Sequence, residues 1–140
     1  MEKWLLYALA SMMFAGVTAV IAKLGLDGIS GDLGLTIRTG FVFVMVLLFA
    51  LAVVPRAELQ VLTARNYLWL GFSALTTTLS WVFYYRAIKL GEVSSVALID
   101  KGSVLIAVVL AWWVLKEAIT VNKAVGAALI VCGLVLIGRK

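Results

Sequence analysis

The chain has 140 residues, 64% of them hydrophobic and 14% charged, with a net charge of +5, one cysteine and no histidine. A soluble domain of this size leaves much of its surface in water and is about half apolar, so the composition excludes a water-soluble globular fold and makes lipid the solvent. The residue counts also exclude an intrachain disulfide and the usual zinc sites, so no cofactor or metal is expected. The basic residues fall at helix ends, where headgroups hold them, so no nucleic-acid partner is expected either.

A crossing needs roughly 20 mostly apolar residues. Five stretches answer to that: Trp4 to Leu24, Leu33 to Val54, Tyr67 to Ile88, Val93 to Leu115, and a shorter Val121 to Ile137. The predicted fold is all-α, a polytopic integral membrane protein whose single domain, 1–140, is a five-helix bundle with connections too short to hold a soluble domain.

In the first span, Lys3 precedes the apolar run and Val20-Ile21-Ala22 loosely resembles a signal-peptide cleavage site. The run is longer than a signal-peptide core, so the segment reads as a retained span. Ala8, Ser11, Ala15, Ala19 and Ala22 form a face of small residues suited to close helix packing, which ends beside Lys23.

Arg38 lies roughly 7 Å inside the second span at 1.5 Å per residue. It either snorkels back to the headgroups or serves a pocket. Pro55 is expected to end this helix.

The third span carries Ser73, Thr76, Thr77, Ser80 and Tyr84 at spacings of three and four. Such hydroxyls either line a path or bond the preceding turn's carbonyls. Trp69, Tyr84 and Tyr85 suit an interfacial belt, whereas Trp81 sits deep enough to face a cavity. Arg86, near the helix end and off the polar stripe, reads as an interfacial anchor.

The fourth span sets Asp100 and Lys101 roughly 10 Å below the expected surface. Ionisable groups at that depth face a bundle interior, find a partner and mark a pathway. Asp100 shares a face with Ala97, Ser103, Ala107 and Ala111, which leaves room for water or ligand. Lys101 points about 100° away, so Arg38 or Lys23 on another helix is the expected partner of Asp100. Asp100 is either a structural ion-pair member or the group that exchanges a proton with substrate.

Lys116-Glu117 and Asn122-Lys123 bracket the connection to the fifth span and read as helix ends. In the fifth span Ala124, Ala128 and Cys132 share one face and Gly126 and Gly133 another, a pattern for packing or dimerisation.

With five crossings, Lys3, Arg56, Arg65, Lys116 and Lys123 flank one side of the membrane, and, with the embedded Arg38 and Lys101 set aside, Lys23, Arg86, Lys89, Arg139 and Lys140 the other. The tally is even, so the positive-inside rule assigns no orientation. Many secondary transporters rock two inverted repeats about a central site. No internal repeat is visible here, and two oppositely inserted copies would supply the inversion, so an antiparallel dual-topology homodimer is expected.

Trp81-Val-Phe-Tyr-Tyr-Arg86-Ala87-Ile-Lys-Leu-Gly91, then Val93-Ser-Ser-Val-Ala, Asp100-Lys-Gly-Ser103, Leu115-Lys-Glu117 and Gly126-Ala-Ala-Leu-Ile-Val-Cys-Gly133 together resemble an EamA domain of the drug/metabolite transporter superfamily. The resemblance covers the whole chain. It implies an exporter or facilitator of small metabolites such as amino acids, usually with two such domains fused into ten helices, where this chain has one. Glu117 matches the family's acidic residue ending the fourth helix, and Gly126 and Gly133 its glycines in the fifth. The small multidrug-resistance exporters, one helix shorter, rely on an acidic residue in their first helix, which this first helix lacks.

The expected function is a secondary transporter of amino acids or related zwitterions and anions in the inner (cell) membrane, and not an enzyme. Its pathway residues would be Asp100, Lys101, Arg38, Lys23, Thr77, Ser80, Trp81 and Tyr84, with Gly126, Ala128 and Gly133 in assembly. The alternatives are a subunit of a heteromeric lipid-linked sugar flippase and a membrane assembly protein with no cargo.

Overall fold

A computed structural model describes residues 2–138. Arg139 and Lys140, which enter the charge tally above, lie outside the described residues. Seven helices and no strand occur among the described residues: α1 (Lys3–Gly25), α2 (Gly31–Val53), α3 (Arg56–Leu59), α4 (Ala64–Leu90), α5 (Val93–Asp100), α6 (Ser103–Leu115) and α7 (Val121–Gly138).

Four segments are long and apolar enough to cross a membrane: α1, α2, the α5–α6 stretch Val93–Leu115, and α7. The expected crossing at Tyr67 to Ile88 lies in α4, which is longer than anticipated at 27 residues. Its hydroxyl stripe and the charges Arg65, Arg86 and Lys89 make it less apolar than the other four.

Local chemistry sets the helix boundaries. Ser30 caps α2, its Oγ accepting from the Leu33 amide at 3.2 Å, so the helix begins before Leu33, and Asp32 in the first turn suits the positive end of the helix dipole. Pro55 stops α2 as expected and opens the one-turn α3. Thr63 and Asn66 cap each other: the Thr63 amide donates to Asn66 Oδ1 at 3.0 Å and the Asn66 amide to Thr63 Oγ1 at 3.4 Å. That exchange starts α4 three residues ahead of Tyr67.

The fourth span is not one continuous helix. Lys101, Gly102, Val104 and Leu105 each donate to the carbonyl three residues back, at 2.9–3.2 Å, so the chain tightens to a 3₁₀-like turn between α5 and α6. A glycine at 102 suits the turn, because a Cβ there would lie 3.0 Å from the Ile99 carbonyl oxygen and 3.1 Å from Leu134 Cδ1 of α7.

The described residues divide into two compact units, Ile21–Leu90 and the segments before Ile21 and after Leu90. In the first, the start of α2 packs on the end of α4. In the second, α5 and α6 pack on α7. The buried apolar residues among the described ones are Ala19, Leu26, Leu35, Tyr85 and Ile88, while leucines, valines and aromatics along every long helix stay exposed. Such surface is stable in hydrocarbon, where the helices have satisfied their own backbone groups.

Candidate functional site

The helices α2 and α4 run antiparallel, since the start of α2 meets the end of α4. Gly31 is buried, and a Cβ on it would sit 2.8 Å from the Tyr85 carbonyl oxygen, so only glycine lets the two backbones approach this closely. Gly31 and Leu35 of α2 and Tyr85 and Ile88 of α4 are buried, and Arg38 and Trp81 each lie about one turn further along their helices.

At the open end of this seam Arg86 and Asp32 form a two-point pair, with Nε 2.8 Å from Oδ1 and Nη2 3.0 Å from Oδ2. Beyond its expected place near the helix end, the Arg86 guanidinium holds α4 to α2 by the planar fork that matches a carboxylate. Lys23 donates to the carbonyl oxygens of Ile88 and Lys89, and Lys89 in turn donates to the Leu26 carbonyl at 2.8 Å. Lys23 therefore caps the C-terminus of α4, where a cation meets the negative end of the helix dipole. Lys23, Lys89, Leu24, Leu26 and Asp27 line an open recess at this end.

Deeper along the seam lies Arg38. Its guanidinium carbon is 4.7 Å from the centre of the Trp81 ring and 5.8 Å from that of Tyr85, which is 4% exposed. One of its terminal nitrogens, Nη1, is buried and has no hydrogen-bond partner. Arg38 is thus held against two aromatic rings. Of the expected wall residues, Trp81 joins this cluster and Tyr84 stacks edge-on against Tyr85 at 6.4 Å. Thr77 and Ser80 lie exposed on α4, and their neighbours Thr76 and Thr78 bond back to carbonyls of the preceding turn.

In the other unit, Lys101 Nζ lies 4.0 Å from Asp100 Oδ2. This corrects the expectation that the two adjacent charges would point apart. The 100° rule holds for a regular α-helix, and Lys101 is the C-cap in the break. Ala107 and Ala111, from the small-residue face, line an open recess of about 310 Å³ with Val104, Trp112, Ile119 and Lys123. Glu117 pairs with Lys123 at 3.5 Å across the α6–α7 turn, where Lys116 takes a left-handed conformation. Of the assembly residues, Gly126 and Ala128 lie exposed on α7 and Gly133 is half-buried.

Sequence reasoning found Arg38 and Trp81 but missed Tyr85 as their companion and missed Asp32 altogether. Tyr85 falls one turn from Trp81 on the same face of α4, which was its signal; Asp32 left none. No group of three or more potential metal ligands occurs among the described residues.

Long apolar helices, several of them long enough to cross a bilayer, define a multi-pass membrane protein. Similarity to known proteins carries the class further. The EamA-like transporter family profile matches residues 2–139, and the chain belongs to that family. It is also 32% identical over 136 residues to a Sinorhizobium sp protein named "Uncharacterized transporter in cobO 3'region", covering 97% of this chain and 96% of that one. No solved structure matches. The protein is a membrane transporter.

Proposed function

We propose that this transporter is a secondary transporter that exports small metabolites, amino acids or related zwitterions and anions, across the inner (cell) membrane. The observation that carries the reading is Arg38: a permanently charged side chain inside an apolar helix, half-buried, with a hydrogen-bonding nitrogen that finds no partner. A charge in that position is costly to maintain, and a passing anion offsets the cost.

In this reading the chain acts as one five-crossing domain with α4 making the third crossing. Trp81, Tyr84, Thr77 and Ser80 line the path along α4. Asp100 takes a proton or a cationic group at the break in the fourth span, with Lys101 as its counter-ion, and Lys23 holds the end of α4 in place. Two copies inserted in opposite directions supply the inverted repeats of alternating access, and Gly126, Ala128 and Gly133 of α7 serve their assembly. The even distribution of basic residues supports insertion both ways.

The test is a pair of reporters fused after Lys140, one active only in the cytoplasm and one only outside. Activity of both is the expected result. Activity of one alone rejects the self-sufficient antiparallel homodimer and moves the inversion to a different partner chain.

A further inference from the structure

We infer that Arg38, Trp81 and Tyr85 form a receptor for an organic monocarboxylate with an apolar body. The inference rests on the transport reading only for its purpose, since the binding chemistry stands on the geometry of the α2–α4 seam.

A guanidinium has five N–H donors in one plane and no acceptor. The ring of Trp81 at 4.7 Å and that of Tyr85 at 5.8 Å stabilise the positive charge through their faces and fix its orientation. They accept no conventional hydrogen bond from Nη1, which is buried and unpartnered. The pairs Asp32–Arg86, Asp100–Lys101 and Glu117–Lys123 do not include Arg38. A buried donor on a charged group without an acceptor is an unfinished interaction, and most such groups in folded proteins are satisfied.

The acceptor that completes it carries one negative charge. A monoanion cancels the single charge of Arg38, whereas a doubly charged phosphate would leave a net negative charge desolvated beside two aromatic rings. A carboxylate also matches the flat edge of a guanidinium. The surroundings choose the rest of the molecule. Leu35 is one turn away on α2 towards the helix start, and Phe41 and Val42 lie one turn deeper, so the body of the ligand behind its carboxylate meets aliphatic and aromatic side chains.

The experiment uses the full chain purified in detergent, with thermal unfolding and calorimetric titration as the readouts. The probes are benzoate, phenylacetate and octanoate, set against benzamide, benzylamine and phenyl phosphate. At least one of the three carboxylates is expected to raise the melting temperature saturably, while the neutral amide, the amine and the phosphate leave it unchanged. Arg38→Gln is expected to lose that response with its ligand-free melting temperature preserved. Arg38→Lys, which keeps the charge and loses the fork, should weaken binding about tenfold, and it supplies the readout where Arg38→Gln fails to fold. No response to any of the three carboxylates, an equal response in the Arg38 variants, or a stronger response to phenyl phosphate overturns the inference. Proteoliposome flux separates this from the transport reading. Arg38-dependent carboxylate binding without flux upholds the receptor and defeats transport, and flux of another solute without such binding does the reverse.

Discussion

Arg86 and Asp32 join the last turns of α4 to the first turn of α2 through two parallel hydrogen bonds, 2.8 and 3.0 Å long. Both side chains are 57% exposed, so water and headgroups compete for them and the pair acts more on register than on raw stability. Either Asp32→Asn or Arg86→Gln is expected to lower the melting temperature in detergent, and the charge exchange Asp32→Arg with Arg86→Asp is expected to restore much of the loss. A double variant no better than the worse single one rejects the pair as a link between the helices.

The backbone contact beside that pair is less forgiving. A Cβ at Gly31 would meet the Tyr85 carbonyl oxygen at 2.8 Å and its carbon at 3.0 Å, and backbone atoms have no rotamer to escape into. Gly31→Ala is expected to destabilise by about 1–3 kcal/mol, the usual range for an overpacked site. The same substitution at Gly126, where a Cβ would meet nothing within 4 Å, serves as the control and should be neutral by thermal unfolding of the protomer.

How far such contacts were legible depends on contrast. In water an apolar face stands out against a polar one, but here nearly every helix position is apolar, so the Gly31, Leu35, Arg38 row does not announce itself by hydrophobicity. What can be read is the exception: Arg38 and Trp81 drew notice for their depth, and the structure sets them face to face. Asp32 escaped because its partner is 54 residues away, and spacing along one helix says nothing about which neighbour it meets. The break at Lys101-Gly102 was hidden inside a run apolar enough to pass for one helix. The length of α4 was hidden in the opposite way, with Arg65 and Asn66 at its start and Arg86 and Lys89 at its end blurring both ends of an otherwise clear helix.

Lys116 is the one non-glycine residue with positive φ among those described, at 57°, and it closes α6 with its own amide and that of Glu117 turned onto the Ala111 carbonyl. A side chain in the left-handed region crowds the following carbonyl, which costs roughly 1–2 kcal/mol. Lys116→Gly is expected to recover roughly 1 kcal/mol of that in unfolding measurements. Lys116→Ala removes the charge but keeps the Cβ and should recover none, which separates backbone strain from electrostatics.

The Asp100 carboxylate distinguishes a working group from a structural one. Its side chain is 40% exposed and its ion pair with Lys101 is stretched to 4.0 Å, so little of the fold depends on it. Asp100→Asn keeps the shape of the side chain and removes its ability to lose a proton or bind a cation. The expected result is a melting temperature like that of the parent protein, together with substrate flux in proteoliposomes reduced to background. Flux that survives the substitution takes Asp100 out of the pathway and leaves it as half of a local ion pair; a collapse of stability alongside flux assigns it to the structure of the broken fourth span instead.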